Sequence, residues 1–306
     1  SYSVTGVQTC ALPIFKYFDI FLETWEHNAS IIAQSGLFIT GFVDCYHEGI
    51  AAGQPFGVSH LAAIGNKLDV NECDILEYYL TEPKTHVIGM YLEDIRDGDR
   101  FLRLLKRNLA EIHKPIVLLK SGRSEKGKKA ISSHTGSLAG NYATVEAIAK
   151  QFGMMLVDSF EEFYDALTIL CQYPCCKGDK IGVISISGAG CVLSSDFAER
   201  YGLELPELSD KTHANLQPLF PDWAPIHNPI DTWASIEKVG PKHSFSSILK
   251  VYLESKQYDA IIMMTISSKF ASFDWNYFKE VKQKFPTVPL VLHFFGGETL
   301  DRKSVV

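Results

Sequence analysis

Residues 86–120 read HVIGMYLEDIRDGDRFLRLLKRNLAEIHKPIVLLK, and this stretch decides the fold. HVIGMYLE (His86 to Glu93) is an apolar run of strand length, and PIVLLK (Pro115 to Lys120) is another. Between them Phe101, Leu105, Leu109 and Ile112 recur at the i, i+4 and i+3 steps that put them on one face of a helix, a face predicted to pack on a sheet. Strand, helix, strand in this order is the parallel crossover unit.

The same alternation continues on both sides. Upstream lie SIIAQ (Ser30 to Gln34), GVSHLAAIG (Gly57 to Gly65) and a helix opened by Asn71 as N-cap. Downstream, Val145, Ile148, Ala149 and Phe152 mark a helix, MMLV (Met154 to Val157) a strand, and Phe160, Phe163, Tyr164 and Leu167 a last helix. Five such repeats predict a parallel sheet with helices on both faces and right-handed crossovers. The segment from Cys171 to Asp179 carries Pro174 and Gly178 and reads as a linker. A second series follows, with KIGVISI (Lys180 to Ile186), YDAIIMMTI (Tyr258 to Ile266) and PLVLHFF (Pro289 to Phe295) as strands. The expected organisation is a first domain over 27–172, a linker over 173–179 and a second, truncated domain over 180–299 that closes on a strand with no helix after it. The opening SYSVTGVQTCALPI and closing DRKSVV read as non-native sequence, so 1–26 and 300–306 are set outside the fold.

Composition narrows the function classes. The 306 residues are 46% hydrophobic and 21% charged with a net charge of -7, enough for two cores without disulfides or metal. No apolar run approaches the roughly 20 residues a bilayer span needs, so a membrane role is not expected. The acidic balance argues against a general nucleic-acid binder, which needs a basic face. Seven cysteines, odd in number and mostly within apolar segments, point to a reducing cytoplasm. Cys171, Cys175 and Cys176 lack paired zinc spacing, and no metal site is expected.

In doubly wound sheets ligands bind beyond the carboxyl ends of the strands, which directs attention to Gln34-Ser35-Gly36, Glu93, the loop from Lys120 to Gly140, and Gly188-Ala189-Gly190. The loop holds Lys120, Arg123, Lys126, Lys128 and Lys129 against Glu125 alone, a local positive field suited to phosphate. Gly122 to Lys129 falls short of a P-loop, because Lys129 stands where Ser or Thr must hold magnesium. Leu193 likewise replaces the third glycine of a dinucleotide fingerprint, leaving Gly188-Ala189-Gly190 as a helix start. His134, in Ser133-His134-Thr135-Gly136, can act as a nucleophile toward phosphorus near neutral pH if a carboxylate orients its other ring nitrogen, and Glu93 is the candidate. Ser35-Gly36 and Gly188-Ala189-Gly190 would supply helix N-termini to an anion. Each feature also has a structural explanation: a solvated basic loop, a surface acid beside Asp94, Asp97 and Asp99, and tight turns that need small residues.

At these residues the sequence resembles the NDP-forming acyl-CoA synthetases of the ADP-forming acetate–CoA ligase type, relatives of succinyl-CoA synthetase. The matching text is SIIAQSG, AAIGNKLDVNECDILEYYL, VIGMYLEDIRDGDRFL, KPIVLLKSGRSEKGKKAISSHTGSLAG, VDSFEEFYDAL, ISGAG and HNPID. The resemblance implies an α/β fold of two tandem flavodoxin-like, succinyl-CoA synthetase-like doubly wound parallel-sheet domains. It implies that acyl-CoA, ADP and phosphate are interconverted with acid, CoA and ATP through an acyl phosphate and a phosphohistidine. His134 matches the phosphorylated histidine within the loop of Ser133, Thr135 and Gly136. Glu93 matches its orienting glutamate, and Ser35, Gly36, Gly188, Ala189 and Gly190 match the phosphate-binding helix starts. No tightly bound cofactor is implied. The substrates are CoA, phosphate and magnesium-bound ADP or ATP, with the nucleotide held mainly by an ATP-grasp domain or subunit. The family's N-terminal CoA-binding domain and that ATP-grasp part are the expected partners, in an oligomer acting on a small acyl substrate. The alternatives are an acyl-CoA-binding regulatory region of a protein lysine acetyltransferase, in which the loop histidine is commonly replaced, and a non-catalytic acyl-CoA sensor.

Overall fold

In a computed structural model the alternating runs become two sheets. The structure describes residues 27–36, 38, 57–67, 69–127, 129, 131, 141–173, 176, 178–266, 275–295 and 303–305. The chain divides into two units, Ser1–Pro174 and Cys175–Val306.

The first unit runs β1 (His27–Ala33), β2 (Gly57–Ala63), α1 (Glu72–Thr81), β3 (Val87–Leu92), α2 (Gly98–Arg107), β4 (Ile116–Lys120), α3 (Tyr142–Gln151), β5 (Met155–Val157) and α4 (Phe160–Gln172). Its five strands are parallel in the order β2-β1-β3-β4-β5, so the strand order reverses between β1 and β3. Alternate side chains sort to the two faces, as the pleat requires. Ile32, Ile88, Met90, Ile116 and Leu118 join α1, α2 and α3 in one core, while Ala29, Ile31, Val87 and Val117 join α4 in the other. Gly89 lets α4 come close: a Cβ there would lie 2.6 Å from Phe163 Cζ. Asn71 caps α1 as expected, in a full capping box with Asp74.

The helix over 101–112 departs from its expected face. Phe101 and Leu105 are buried, but Leu109 is 50% exposed. Asn108 takes the inward position instead, its side chain bonding both the N–H and the carbonyl of Lys114. The chain widens there into a π-turn (Asn108–Ile112) closed by His113 in the left-handed region, and this shifts the phase that a uniform helix would have kept.

The second unit runs β6 (Ile181–Ser185), α5 (Gly188–Tyr201), α6 (Asp210–Leu216), β7 (Ile230–Asp231), α7 (Trp233–Val239), α8 (Pro241–Ser255), β8 (Ala260–Ile266), α9 (Trp275–Lys284), β9 (Leu290–Phe295) and β10 (Lys303–Val305). The order is β10-β9-β8-β6-β7. β7, β6, β8 and β9 are parallel, and the order again reverses beside the first strand of the unit, between β6 and β8. One core gathers Ile184, Phe220, Phe245, Tyr252, Ile261 and Leu290, and a smaller one holds Ile181, Val183 and Ala198. The edge that the sequence leaves open after β9 is paired antiparallel by Lys303–Val305, from the segment expected to lie outside the fold. The unpaired N–H and C=O groups of an edge strand accept such a segment readily. No helix among the described residues is long and apolar enough to cross a membrane.

Candidate active site

The carboxyl ends of β1, β2, β3 and β4 deliver Gln34, Lys67, Glu93, Asp94 and Lys120 to one end of the sheet, at the point where the strand order reverses. All five are buried. Gln34 bridges the two central strand ends. Its backbone N–H donates to Tyr91 O, and its side-chain Oε1 accepts from the backbone N–H groups of Glu93 (2.8 Å) and Asp94 (3.3 Å). Its Nε2 donates to Asp94 Oδ1 at 2.7 Å.

Lys67 approaches from the β2 side, in a left-handed backbone conformation two residues after Gly65. Its ammonium pairs with Asp94 Oδ1 (2.8 Å) and Glu72 Oε2 (2.9 Å) and donates to Asp94 O (2.6 Å). Glu72 Oε1 accepts from the Arg96 N–H, and the Arg96 guanidinium returns a bond to Lys67 O. Burial alone would raise the Asp94 carboxyl, but the Lys67 ammonium and the Gln34 carboxamide outweigh it and hold the group below the usual carboxylate range. Lys120 closes the other side, donating to Glu93 O (2.6 Å) and Ser121 O. Burial pushes its ammonium down to about 8, against the pull of Asp94.

Glu93 is therefore no surface acid. It is 7% exposed, and no donor among the described residues reaches its Oε2. Of the acids beside it, Asp97 is the N-cap of α2 and Asp99 lies in its first turn. Lys120, grouped by sequence with the basic loop, is a buried strand end. Of that loop, Arg123 is tied back to Asp158 and lies over the Tyr142 ring. His134 and its neighbours Ser133, Thr135 and Gly136 lie outside the described residues.

Ser35 behaves as an N-cap, its Oγ accepting from the Phe38 N–H at 3.5 Å, with Gly36 and Phe38 helical after it. The Phe38 ring stacks on Tyr91 with centroids 4.5 Å apart and meets Phe160 and Phe163 edge-on, which fixes this turn on the sheet. In the second unit Gly188, Ala189 and Gly190 form the first turn of α5, beyond the end of β6. Ser187 caps it through the Gly190 N–H. A Cβ at position 190 would collide with Ser185 Oγ, so a side chain there would force Ser185 to shift. Asp231, at the end of β7, flanks Gly188.

Sequence patterning located Glu93 and the small-residue turns, but not Lys67, Glu72, Asp94, Arg96 and Lys120 as a set. One signal was present: a charged residue that directly ends or follows an apolar strand, as Lys120 and Asp94 do, has to be paired if it is buried. The described residues hold no cluster of His, Cys, Asp and Glu that could bind a metal ion.

Residues 26–170 match the model of the succinyl-CoA ligase like flavodoxin domain. The chain is 33% identical over 274 residues to the ADP-forming acetate–CoA ligase II of Archaeoglobus fulgidus, a match that covers 89% of this chain and 40% of that protein. It is 31% identical to the alpha subunit of the ADP-forming acetate–CoA ligase II of Pyrococcus furiosus, over 80% of this chain and 51% of the subunit. Among solved structures, an acetyl-coenzyme A synthetase of Ca. Korarchaeum cryptofilum in complex with phosphate and ADP superposes with a TM-score of 0.76 at 25% identity, over 90% of this chain and 58% of that one. The chain thus spans about two-fifths to three-fifths of the length of these relatives.

Proposed function

We propose that this chain, whose residues 26–170 match the succinyl-CoA ligase like flavodoxin domain, carries the phosphoryl relay of an ADP-forming acyl-CoA ligase. The observation that carries this reading is Glu93: a buried carboxylate at the reversal of strand order, its backbone held on every side and one oxygen without a donor among the described residues. The neighbouring strand, β4, ends at Lys120, ahead of His134 in the chain.

In the ATP-forming direction, a phosphate oxygen attacks the thioester carbonyl of an acyl-CoA. The C–S bond breaks, CoA leaves as thiolate, and an acyl phosphate remains. One imidazole nitrogen of His134 then attacks phosphorus. The P–O bond to the acyl group breaks, the carboxylate leaves, and the second ring N–H stays hydrogen-bonded to Glu93, which stabilises the cationic phosphoimidazole. A terminal oxygen of magnesium-bound ADP takes the phosphoryl group, and His134 is restored. The helix start at Ser35-Gly36 in the first unit and, separately, that at Gly188-Ala189-Gly190 in the second each carry amide N–H groups suited to a phosphoryl group. An ATP-grasp domain or subunit holds most of the nucleotide and an N-terminal CoA-binding domain most of the CoA, consistent with the alpha-subunit name of one relative. Cys73, Cys171 and Cys191, which form no disulfide among the described residues, suit a cytoplasmic location.

The chain combined with its ATP-grasp part and incubated with magnesium and γ-labelled ATP is expected to become labelled at His134, with the acid-labile, base-stable chemistry of a phosphoimidazole. Label persisting at the wild-type level in His134→Ala rejects the relay.

A further inference from the structure

We propose that Gln34 is a positioning residue for Glu93, fixing the Glu93–Asp94 turn so that one carboxylate oxygen is presented to the His134 imidazole, a role that rests on the relay proposed above. The bonding of that turn is lopsided. Both backbone N–H groups are taken by Gln34 Oε1. The Glu93 carbonyl is taken by Lys120, the Asp94 carbonyl by Lys67, and Asp94 Oδ1 by Gln34 Nε2 together with Lys67. The Glu93 carboxylate alone keeps a buried oxygen with no donor among the described residues. A buried acceptor without a partner is unfavourable for folding, which sets this oxygen apart from the other polar groups of the turn.

Gln34 fits the task by its geometry. A carboxamide offers an acceptor and a donor on one plane, so a single side chain holds two amides of the turn and its carboxylate together. Gln34 is itself 5% exposed and anchored by its own N–H on Tyr91 O, so its side chain starts from a strand end already in register with β3. Lys67 and Lys120 hold carbonyls, so Gln34 is the side chain that extends the β1–β3 pairing to the amides of Glu93 and Asp94.

The test uses phosphoramidate, which phosphorylates imidazole directly: the phosphorus–nitrogen bond to ammonia breaks as the ring nitrogen–phosphorus bond forms, and ammonia leaves with the transferred proton. Phosphohistidine is mapped to the His134 peptide, and its two ring isomers are resolved by 31P NMR after subtraction of the His134→Ala spectrum. The wild-type chain is expected to give one isomer, because Glu93 occupies the other ring nitrogen. Gln34→Leu, with circular dichroism unchanged, is expected to give both isomers and a rate lower by about tenfold, the size of one lost hydrogen bond. Should that variant fail to fold, Gln34→Glu decides by the same spectrum. It keeps an acceptor for the two amides but sets a second oxygen against Asp94 Oδ1, so the minor isomer should rise several-fold. A folded Gln34→Leu or Gln34→Glu chain that keeps the single isomer, while Glu93→Ala scrambles it, overturns the positioning role and leaves the relay standing. A wild-type chain unmodified at His134, or a Glu93→Ala chain with unchanged selectivity, overturns the relay and this role with it.

Discussion

Lys67 shows how much of the site depends on single residues distant in sequence. Its ammonium is 1% exposed and faces two carboxylates, those of Glu72 and Asp94. Removing it leaves both buried acids without their cation, and breaking a buried pair in this way costs about 3–5 kcal/mol. Lys67→Met is therefore expected to lower the urea midpoint by that equivalent, measured by circular dichroism. The Asp94 carboxyl is held low, so it contributes stability that is present above the ordinary carboxylate value and is lost as pH falls through its lowered value. Asp94→Asn should make stability less dependent on pH below about 4, the ordinary value for Asp; an unchanged acid limb of the pH–stability curve would show that Asp94 is not so linked. Glu93 was legible in the sequence because it ends an apolar run just before a loop. The bonds of Lys67 and Gln34 to Asp94 were not, because these residues lie 27 and 60 positions from it along the chain and nothing local marks a pair that only the sheet brings together.

At the scale of elements, most strands were legible within a residue or two, since apolar runs of strand length between helical patterns admit few other readings; β1 starts three residues earlier than expected, and β10 comes from the segment expected to stand outside the fold. β7, with two residues, is too short to carry a period, and the π-turn after α2 changes a period midway. In both units a side-chain amide extends a strand ladder where no strand lies alongside. Gln34 does so beyond β1. Asn228, in HNPID, accepts from the Val183 N–H (2.9 Å) and donates to Ile181 O (2.9 Å) and Pro206 O (3.2 Å), taking the place of a strand neighbour beside β6. Asn228→Ala strands the N–H of fully buried Val183 and should cost about 1–3 kcal/mol in urea denaturation. Gly89 tests the other side of element packing. A methyl group at that point of β3 meets Phe163 Cζ and Ile31 Cδ1 within 3 Å, so Gly89→Ala should overpack the α4 face by about 1–3 kcal/mol. A wild-type midpoint in either variant would contradict the contact assigned to it.

For the whole molecule, two sheets that each reverse their order beside the first strand place the chemistry-bearing loops of each unit at one end of its sheet, and this much follows from counting strand–helix repeats. The polar lining could not be counted that way, because it depends on which charges the strands bury. Buried ionisable groups also set the response to alkali. Burial, with Glu72 beside it, pushes the Cys73 thiol up to about 12, and burial with Asp231 nearby pushes Cys191 up to about 11. In the unfolded chain a thiol ionises near 8.5, so the unfolded state loses these protons first and stability falls as pH rises from there toward 11–12. Lys120 works in the opposite sense: its ammonium, held down to about 8, deprotonates in the folded state first, so the cost of burying it is relieved between about 8 and the ordinary lysine value near 10.4. Cys171, which burial also pushes up to about 12, and Lys114, whose ammonium burial also lowers, bring the balance to three thiols against two amines, so Tm should hold to about pH 9 and then decline, with a shallower decline in Cys73→Ala. The same thiols report on each unit separately. At pH 8.5, iodoacetamide should alkylate exposed Cys176 in the native protein and spare Cys73, whose thiolate fraction is suppressed and whose side chain is fully buried. In rising urea, alkylation of Cys73 should appear with the unfolding of the first sheet and that of Cys191 with the second. Peptide mass spectrometry that finds Cys73 modified in the folded protein as fast as Cys176 would place that thiol outside the core.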